Sequence, residues 1–95
     1  FGQFSVVATK LALADAELDL AREDRERVGV MMGTALGGIG FAEGELTKFV
    51  QHGIRAVDPL LALAVFGGAS SCNVAIEFGV QGPNSTNAMS CASGT

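Results

Sequence analysis

Val28-Gly29-Val30-Met31-Met32-Gly33 is a short apolar run without polar alternation, bounded by glycine. Such a run fits a strand buried on both faces, as in a parallel sheet with helices packed on either side. Upstream, Phe4, Val7, Leu11, Ala14 and Leu18 recur at steps of three and four. That spacing predicts an amphipathic helix over residues 3–17, with Lys10, Asp15 and Glu17 on its wet side. Between helix and strand, Glu23-Asp24-Arg25-Glu26-Arg27 mixes both signs and reads as a solvated loop.

Downstream, the five glycines from Gly33 to Gly44 predict a loop whose backbone turns tightly or approaches something closely. A second helix is expected at 43–52, burying Leu46, Phe49 and Val50 and stopped by Gly53. Asp58-Pro59 supplies an N-cap followed by a residue already set to helical φ, so a third helix is expected from there to Phe78, closed by Gly79. Inside it, Gly67-Gly68-Ala69-Ser70-Ser71-Cys72 carries two glycines that each cost about 1 kcal/mol relative to alanine. Side chains this small let another element approach closely. The helix should therefore be buried on most sides, with Cys72 a small packing residue. Gln81-Gly82-Pro83-Asn84 is a turn, and 85–90 a short strand leading into Cys91. The order helix, strand, helix, helix, strand, elbow is an α/β pattern without internal repeat.

The 95 residues are 48% hydrophobic and 17% charged, which is globular composition with room for one modest core. With a net charge of −4 and no gathering of Lys or Arg, there is no electrostatic reason to bind nucleic acid or an anionic membrane. The weakly polar run from Pro59 to Cys72 falls short of the about 20 apolar residues that a bilayer span needs. Two cysteines in a sequence without a signal-like segment point to reduced thiols and a cytoplasmic setting. The chain starts inside a periodic segment and stops without a terminating turn, so it reads as a piece of a larger domain.

Three constellations bear on chemistry. Gly37-Gly38-Ile39-Gly40 after a strand invites a dinucleotide-binding reading, but the third fingerprint position is Glu43, which would push negative charge toward a phosphate. No Gly-x-Ser-x-Gly elbow is present. The single histidine, His52, reads as a helix-end imidazole, and no Cys, His and carboxylate set has metal-ligand spacing, so neither metal nor cofactor is expected. Cys91 stands apart. A strand runs into Ser90-Cys91, and Ala92-Ser93-Gly94 reads as the start of a helix, where partial positive charge lowers a thiol pKa from about 8.5 to roughly 3.5–7.5. On that chemistry alone, an activated thiol and a structural cysteine remain equally open.

Nearly the whole chain resembles the β-ketoacyl synthases of the thiolase-like superfamily. Gly82-Pro83-Asn84-Ser85 and Ser90-Cys91-Ala92-Ser93-Gly94-Thr95 are similar, with matching spacing, to that family's Gly-Pro-Asn-Ser stretch and Ala-Cys-Ala-Ser/Thr-Gly-Thr elbow. Arg27-Val28-Gly29-Val30 and Gly33-Thr34-Ala35-Leu36-Gly37-Gly38 resemble its strand and Gly-Ser-Gly-x-Gly-Gly loop. Asp58-Pro59-Leu60-Leu61 resembles its Ser-Pro-Phe-Phe segment, and Asn73 to Gly79 its long central helix. The similarity is greatest to the type II elongating synthases of fatty-acid synthesis.

The resemblance implies a layered α/β/α thiolase-like fold with a mixed, largely parallel sheet. Residues 1–95 would be a partial domain from its N-terminal half, inactive alone and ending just after the active-site cysteine. It further implies that Cys91 accepts an acyl group from acyl carrier protein and surrenders it in a decarboxylative Claisen condensation with malonyl-acyl carrier protein. Leu36 would gate, and Leu61 line, the acyl pocket. The partners implied are acyl carrier protein and a second copy, joined through the strand at 85–90. The remaining acid–base residues would lie past Thr95, and His52 matches none of them. Two rivals stand beside this reading: a thiolase-type acyltransferase, and a non-catalytic α/β interaction module in which Cys91 is structural.

Overall fold

The strand expected at 28–33 forms as β1 (Val30–Gly33) and pairs in parallel with β2 (Asn84–Asn87), Val30 beside Asn84 and Gly33 beside Asn87. The computed structural model describes residues 1–95 throughout. A parallel pair needs a long return connection. Here it holds α2 (Ile39–His52), α3 (Leu61–Ala64) and α4 (Ala69–Phe78), while α1 (Gly2–Asp15) precedes the sheet. No helix is long and apolar enough to cross a membrane.

Helix α4 lies against both strands and against α1. A cleft of about 120 Å³, where Thr9 and Leu13 of α1 meet Val30 of β1 and Val74 and Phe78 of α4, places both helices on the sheet face that carries Val30. On the opposite face Met31 is 77% exposed. Within residues 1–95 the strand expected to be covered on both faces is packed by α4 on one of them.

Helix α1 forms where the periodicity places it, but with another face inward. Gly2, Ser5, Val6, Thr9 and Leu13 are half-buried, whereas Phe4, at 82% exposure, and Val7, Leu11 and Leu18 point outward. Small and β-branched residues at steps of three and four bring α1 close to α4, and the larger apolar stripe is left over. Helix α2 begins at Ile39 rather than 43 and stops at Gly53 as expected. Its expected core residues Leu46, Phe49 and Val50 are exposed, Glu45 being buried instead.

The single helix expected from Asp58 to Phe78 is two. Asp58 Oδ1 accepts the Leu60 N–H at 2.8 Å and closes the turn that leads into α3, whose own N-cap is Leu60. At the break the Val65 carbonyl accepts the Gly38 N–H at 3.3 Å, and the Ala69 N–H turns to Phe66 at 3.0 Å. The glycine loop after β1 thus competes for the bonds that would have continued the helix. The small-residue patch behaves as expected: Ala69, Ser70 and Ser71 are buried on α4.

The charge run at 23–27 is exposed but structured. Asp19 and Asp24 carboxylates accept the N–H groups of Ala21 and Glu26, forming short 3₁₀ turns. Arg25 reaches α4, its Nη1 donating to the carbonyls of Phe78 at 3.0 Å and Gly79 at 3.2 Å. A cation on the last carbonyls of a helix satisfies acceptors that have no intrahelical donor and opposes the negative end of the dipole. Gly79, left-handed at φ 63, would bring any side chain against that guanidinium.

Candidate active site

Because the two strands are parallel, their carboxyl ends, Gly33 and Asn87, finish at the same edge. Ligands of open α/β sheets bind beyond that edge, where the outgoing loops diverge. The loop after β1 is tied down at three points. Thr34 donates its N–H to the Asn87 carbonyl at 2.9 Å, its Oγ1 accepts the Gly37 N–H at 3.0 Å, and Gly38 donates to Val65. After β2, the Asn87 side chain accepts the Met89 N–H at 2.9 Å and turns the chain, ending the strand earlier than expected.

The elbow follows. Ser90 has φ 52, a left-handed value that costs a non-glycine residue about 1 kcal/mol. A 3₁₀ turn, Ser90–Gly94, succeeds it, with the Ala92 N–H donating to Met89 at 3.1 Å and Ser93 Oγ donating to the Ser90 carbonyl. Within residues 90–94 the start expected for a helix is a 3₁₀ turn. The Ser93 carbonyl lies over the Cα of Gly33, where any side chain would collide with it. The absence of a Cβ on β1 is what lets the elbow sit across the strand end.

Cys91 occupies the crest of this elbow as a free, exposed thiol. Its N–H donates to no acceptor within the protein. Ala92, Ser93 and Gly94 leave the approach to sulfur unobstructed. A thiolate at this point could attack an electrophilic carbon, and the free N–H beside it could donate a hydrogen bond to the oxygen that becomes negative. Leu36 sits on the β1 loop and is 69% exposed, while Leu61, half-buried, is the first residue of α3. The loop bearing Leu36 packs through Gly37 and Gly38 on the C-terminal end of α3, the end opposite Leu61.

Other sulfur and nitrogen nucleophiles lie elsewhere. Cys72 is half-buried on α4 and His52 is the exposed last residue of α2. A concavity of about 760 Å³ runs between the start of α1, the Gly37–Phe41 segment and α4 and does not include Cys91. No group of three His, Cys, Asp or Glu side chains gathers in a metal-binding arrangement.

Glu45 was missed by sequence reasoning. It is 2% exposed, with Oε2 accepting the Asp58 N–H at 2.7 Å and Oε1 paired with Lys48 Nζ at 2.6 Å. The Asp58 N–H first, and the Lys48 ammonium second, hold its carboxyl below its ordinary value of 4.5. Lys48 is held above its ordinary 10.5 by the same contact. Glu45 and Lys48 stand at i,i+3 spacing, which from sequence reads as a surface pair, since the Asp58 partner lies outside the helix.

The description "Beta-ketoacyl synthase, N-terminal domain" matches residues 1–95. The chain is 32% identical over all 95 residues to 3-oxoacyl-[acyl-carrier-protein] synthase 2 of Staphylococcus aureus, of which it covers 24%. It is 39% identical over 100 residues to a Streptomyces halstedii protein assigned as polyketide beta-ketoacyl synthase 1, covering 97% of this chain and 23% of that protein. Among solved structures it is similar, with TM-score 0.78 and 30% identity over 84% of its length, to 23% of a chain in a complex. That complex holds a type II polyketide synthase acyl-carrier protein with its ketosynthase bound to the hexaketide. The chain thus spans about a quarter of the length of the curated relatives it matches.

Proposed function

The chain belongs to the beta-ketoacyl synthase family, and from that premise we propose that it carries the acyl-accepting nucleophile, Cys91, of a 3-oxoacyl-acyl-carrier-protein synthase. On this reading residues 1–95 are part of the N-terminal, thiolase-like half of a cytoplasmic homodimeric acyltransferase that serves fatty-acid or polyketide chain elongation, and the segment alone is inactive.

The observation that carries the proposal is the placement of Cys91: an exposed thiol with a free backbone N–H, on an elbow of small residues at the carboxyl edge of a parallel pair. The thiolate attacks the thioester carbonyl of an acyl chain on acyl carrier protein, and the negative oxygen is met by the Cys91 N–H. Collapse expels the carrier thiolate and leaves an acyl–cysteine thioester. Malonyl-acyl carrier protein then loses carbon dioxide, and the resulting carbanion attacks the acyl carbonyl, forming the carbon–carbon bond and releasing the Cys91 thiolate. Leu36 and Leu61 line the acyl chain's channel. Two transfers, each with a good leaving group, replace one difficult condensation.

The test is made in an intact synthase carrying this segment. Cys91→Ala is expected to abolish the acyl–enzyme adduct seen by mass spectrometry and to lower condensation on the order of a thousandfold or more. Iodoacetamide at neutral pH should label Cys91 well ahead of Cys72. Acyl transfer that survives Cys91→Ala would overturn the assignment.

A further inference from the structure

The geometry points to Glu45 as a positioning residue that sets acyl-chain-length preference by fixing where α3 begins. This inference rests on the proposed pocket role of Leu61. Glu45 is the one charged side chain withdrawn from solvent in the chain, and it is spent on a backbone group of another segment. From it a line of hydrogen bonds runs to the proposed pocket. Glu45 Oε2 accepts the Asp58 N–H at 2.7 Å. Asp58 Oδ1 accepts the Leu60 N–H at 2.8 Å, and its carbonyl accepts the Leu61 N–H at 2.9 Å.

The other end of α3 is held independently. Val65, its C-cap, accepts the Gly38 N–H, and the Ala64 and Val65 backbone packs against Gly38 in the loop that bears Leu36. A helix of four residues has too few internal bonds to fix its own position. Its placement therefore rests on its packing against α2 and on these two attachments, one of them Glu45. Lys48, on the far oxygen, holds the carboxylate charged and its rotamer fixed. Releasing the Asp58 N–H frees the start of α3, and Leu61 moves relative to Leu36. A channel wall displaced by a methylene's width discriminates substrates by about tenfold or more.

In an intact synthase, kcat/KM is measured over a series of acyl-acyl-carrier-protein primers from short to long for Glu45→Ala, Glu45→Gln and Lys48→Ala. Glu45→Ala is expected to change the ratio of long- to short-chain kcat/KM by about tenfold. Glu45→Gln, whose amide oxygen still accepts the Asp58 N–H, should restore most of the parent ratio. It also keeps the test usable where Glu45→Ala is poorly soluble. Lys48→Ala should shift the ratio least.

A merely structural role would lower kcat/KM by one factor at every length and leave the ratio flat, and that result overturns the proposal. Leu61→Phe is run alongside. If it moves the profile while the Glu45 variants do not, positioning by Glu45 is refuted and the pocket reading stands. If neither moves it, the pocket reading fails and takes the inference with it.

Discussion

Helices α1 and α4 lie against each other, yet they are buried to very different degrees. Four of the five buried residues of the chain, Ala69, Ser70, Ser71 and Val74, are on α4, while α1 has none and turns Phe4, Val7 and Leu11 to the outside. Burial here follows closeness of approach rather than hydrophobicity. Where side chains are small, backbones meet and even hydroxyls vanish from solvent, provided they are bonded. Ser71 Oγ lies 2.8 Å from Thr86 Oγ1 on β2 and 3.1 Å from the Gly68 carbonyl. Where side chains are large, this chain has nothing to set against them, and the outer faces of α1 and α2 form apolar surface of the kind that marks an interface.

The contrast is broken most severely on α4. Ser71→Leu forces a branched side chain into a site with 1% exposure and leaves Thr86 without its partner. In an intact synthase it is expected to cost roughly 2–5 kcal/mol, read from the urea midpoint. A loss below about 1 kcal/mol would mean that α4 is not closely packed.

On α1 the expectation reverses. Phe4→Ser with Leu11→Ser in the 95-residue chain should change its folding stability by no more than about 0.5 kcal/mol per site while reducing self-association in sedimentation. The unsubstituted chain is expected to self-associate. Core-sized destabilisation by the pair would show that the stripe is buried within the chain after all.

The smallest effect sharpens the third kind of burial, that of Glu45. Its carboxyl is held below 4.5 in the folded protein, so its contribution is complete above that value and fades as pH falls through the lower folded value. Lys48, held above 10.5, contributes fully below that value and loses its share as pH rises through the folded one. The melting-temperature gap between an intact synthase and its Glu45→Gln variant should therefore hold across neutral pH and close on the acid limb. On the alkaline limb it should close only in part, because the carboxylate still accepts the Asp58 N–H more strongly than the glutamine amide does. A gap independent of pH would remove the ion pair from the account.

What the sequence made legible was what neighbours along the chain decide. The α/β order, β1 and β2, the Asp58 turn and the stops at Gly53 and Gly79 all rest on local rules. The family resemblance, with its thiolase-like fold, agrees with the fold similarity at TM-score 0.78. Hidden were the features that a distant partner decides. The break at Val65 needs the Gly38 N–H, the burial of Glu45 needs the Asp58 backbone, and the capping role of Arg25 needs the end of α4. The inward face of α1 could not be chosen from periodicity, because Val6 and Leu13 offer a second apolar stripe beside Phe4, Val7 and Leu11. Cys91 was located by its motif, but the 3₁₀ turn around it depends on how Ser93 crosses Gly33.

The parallel register has a consequence for how the chain comes off the ribosome. Val30 pairs with Asn84, so β1 is synthesised long before β2 exists to pair with it. Contacts so distant in sequence form late, since the loop between them must close first. Through the synthesis of α2, α3 and α4, the edge of β1 that β2 will occupy stays open to chaperones or mispairing. The elbow of Cys91 emerges directly behind β2. Its seat on Gly33 exists only once the sheet has closed, so sheet closure and the shaping of the reactive elbow are a single late event.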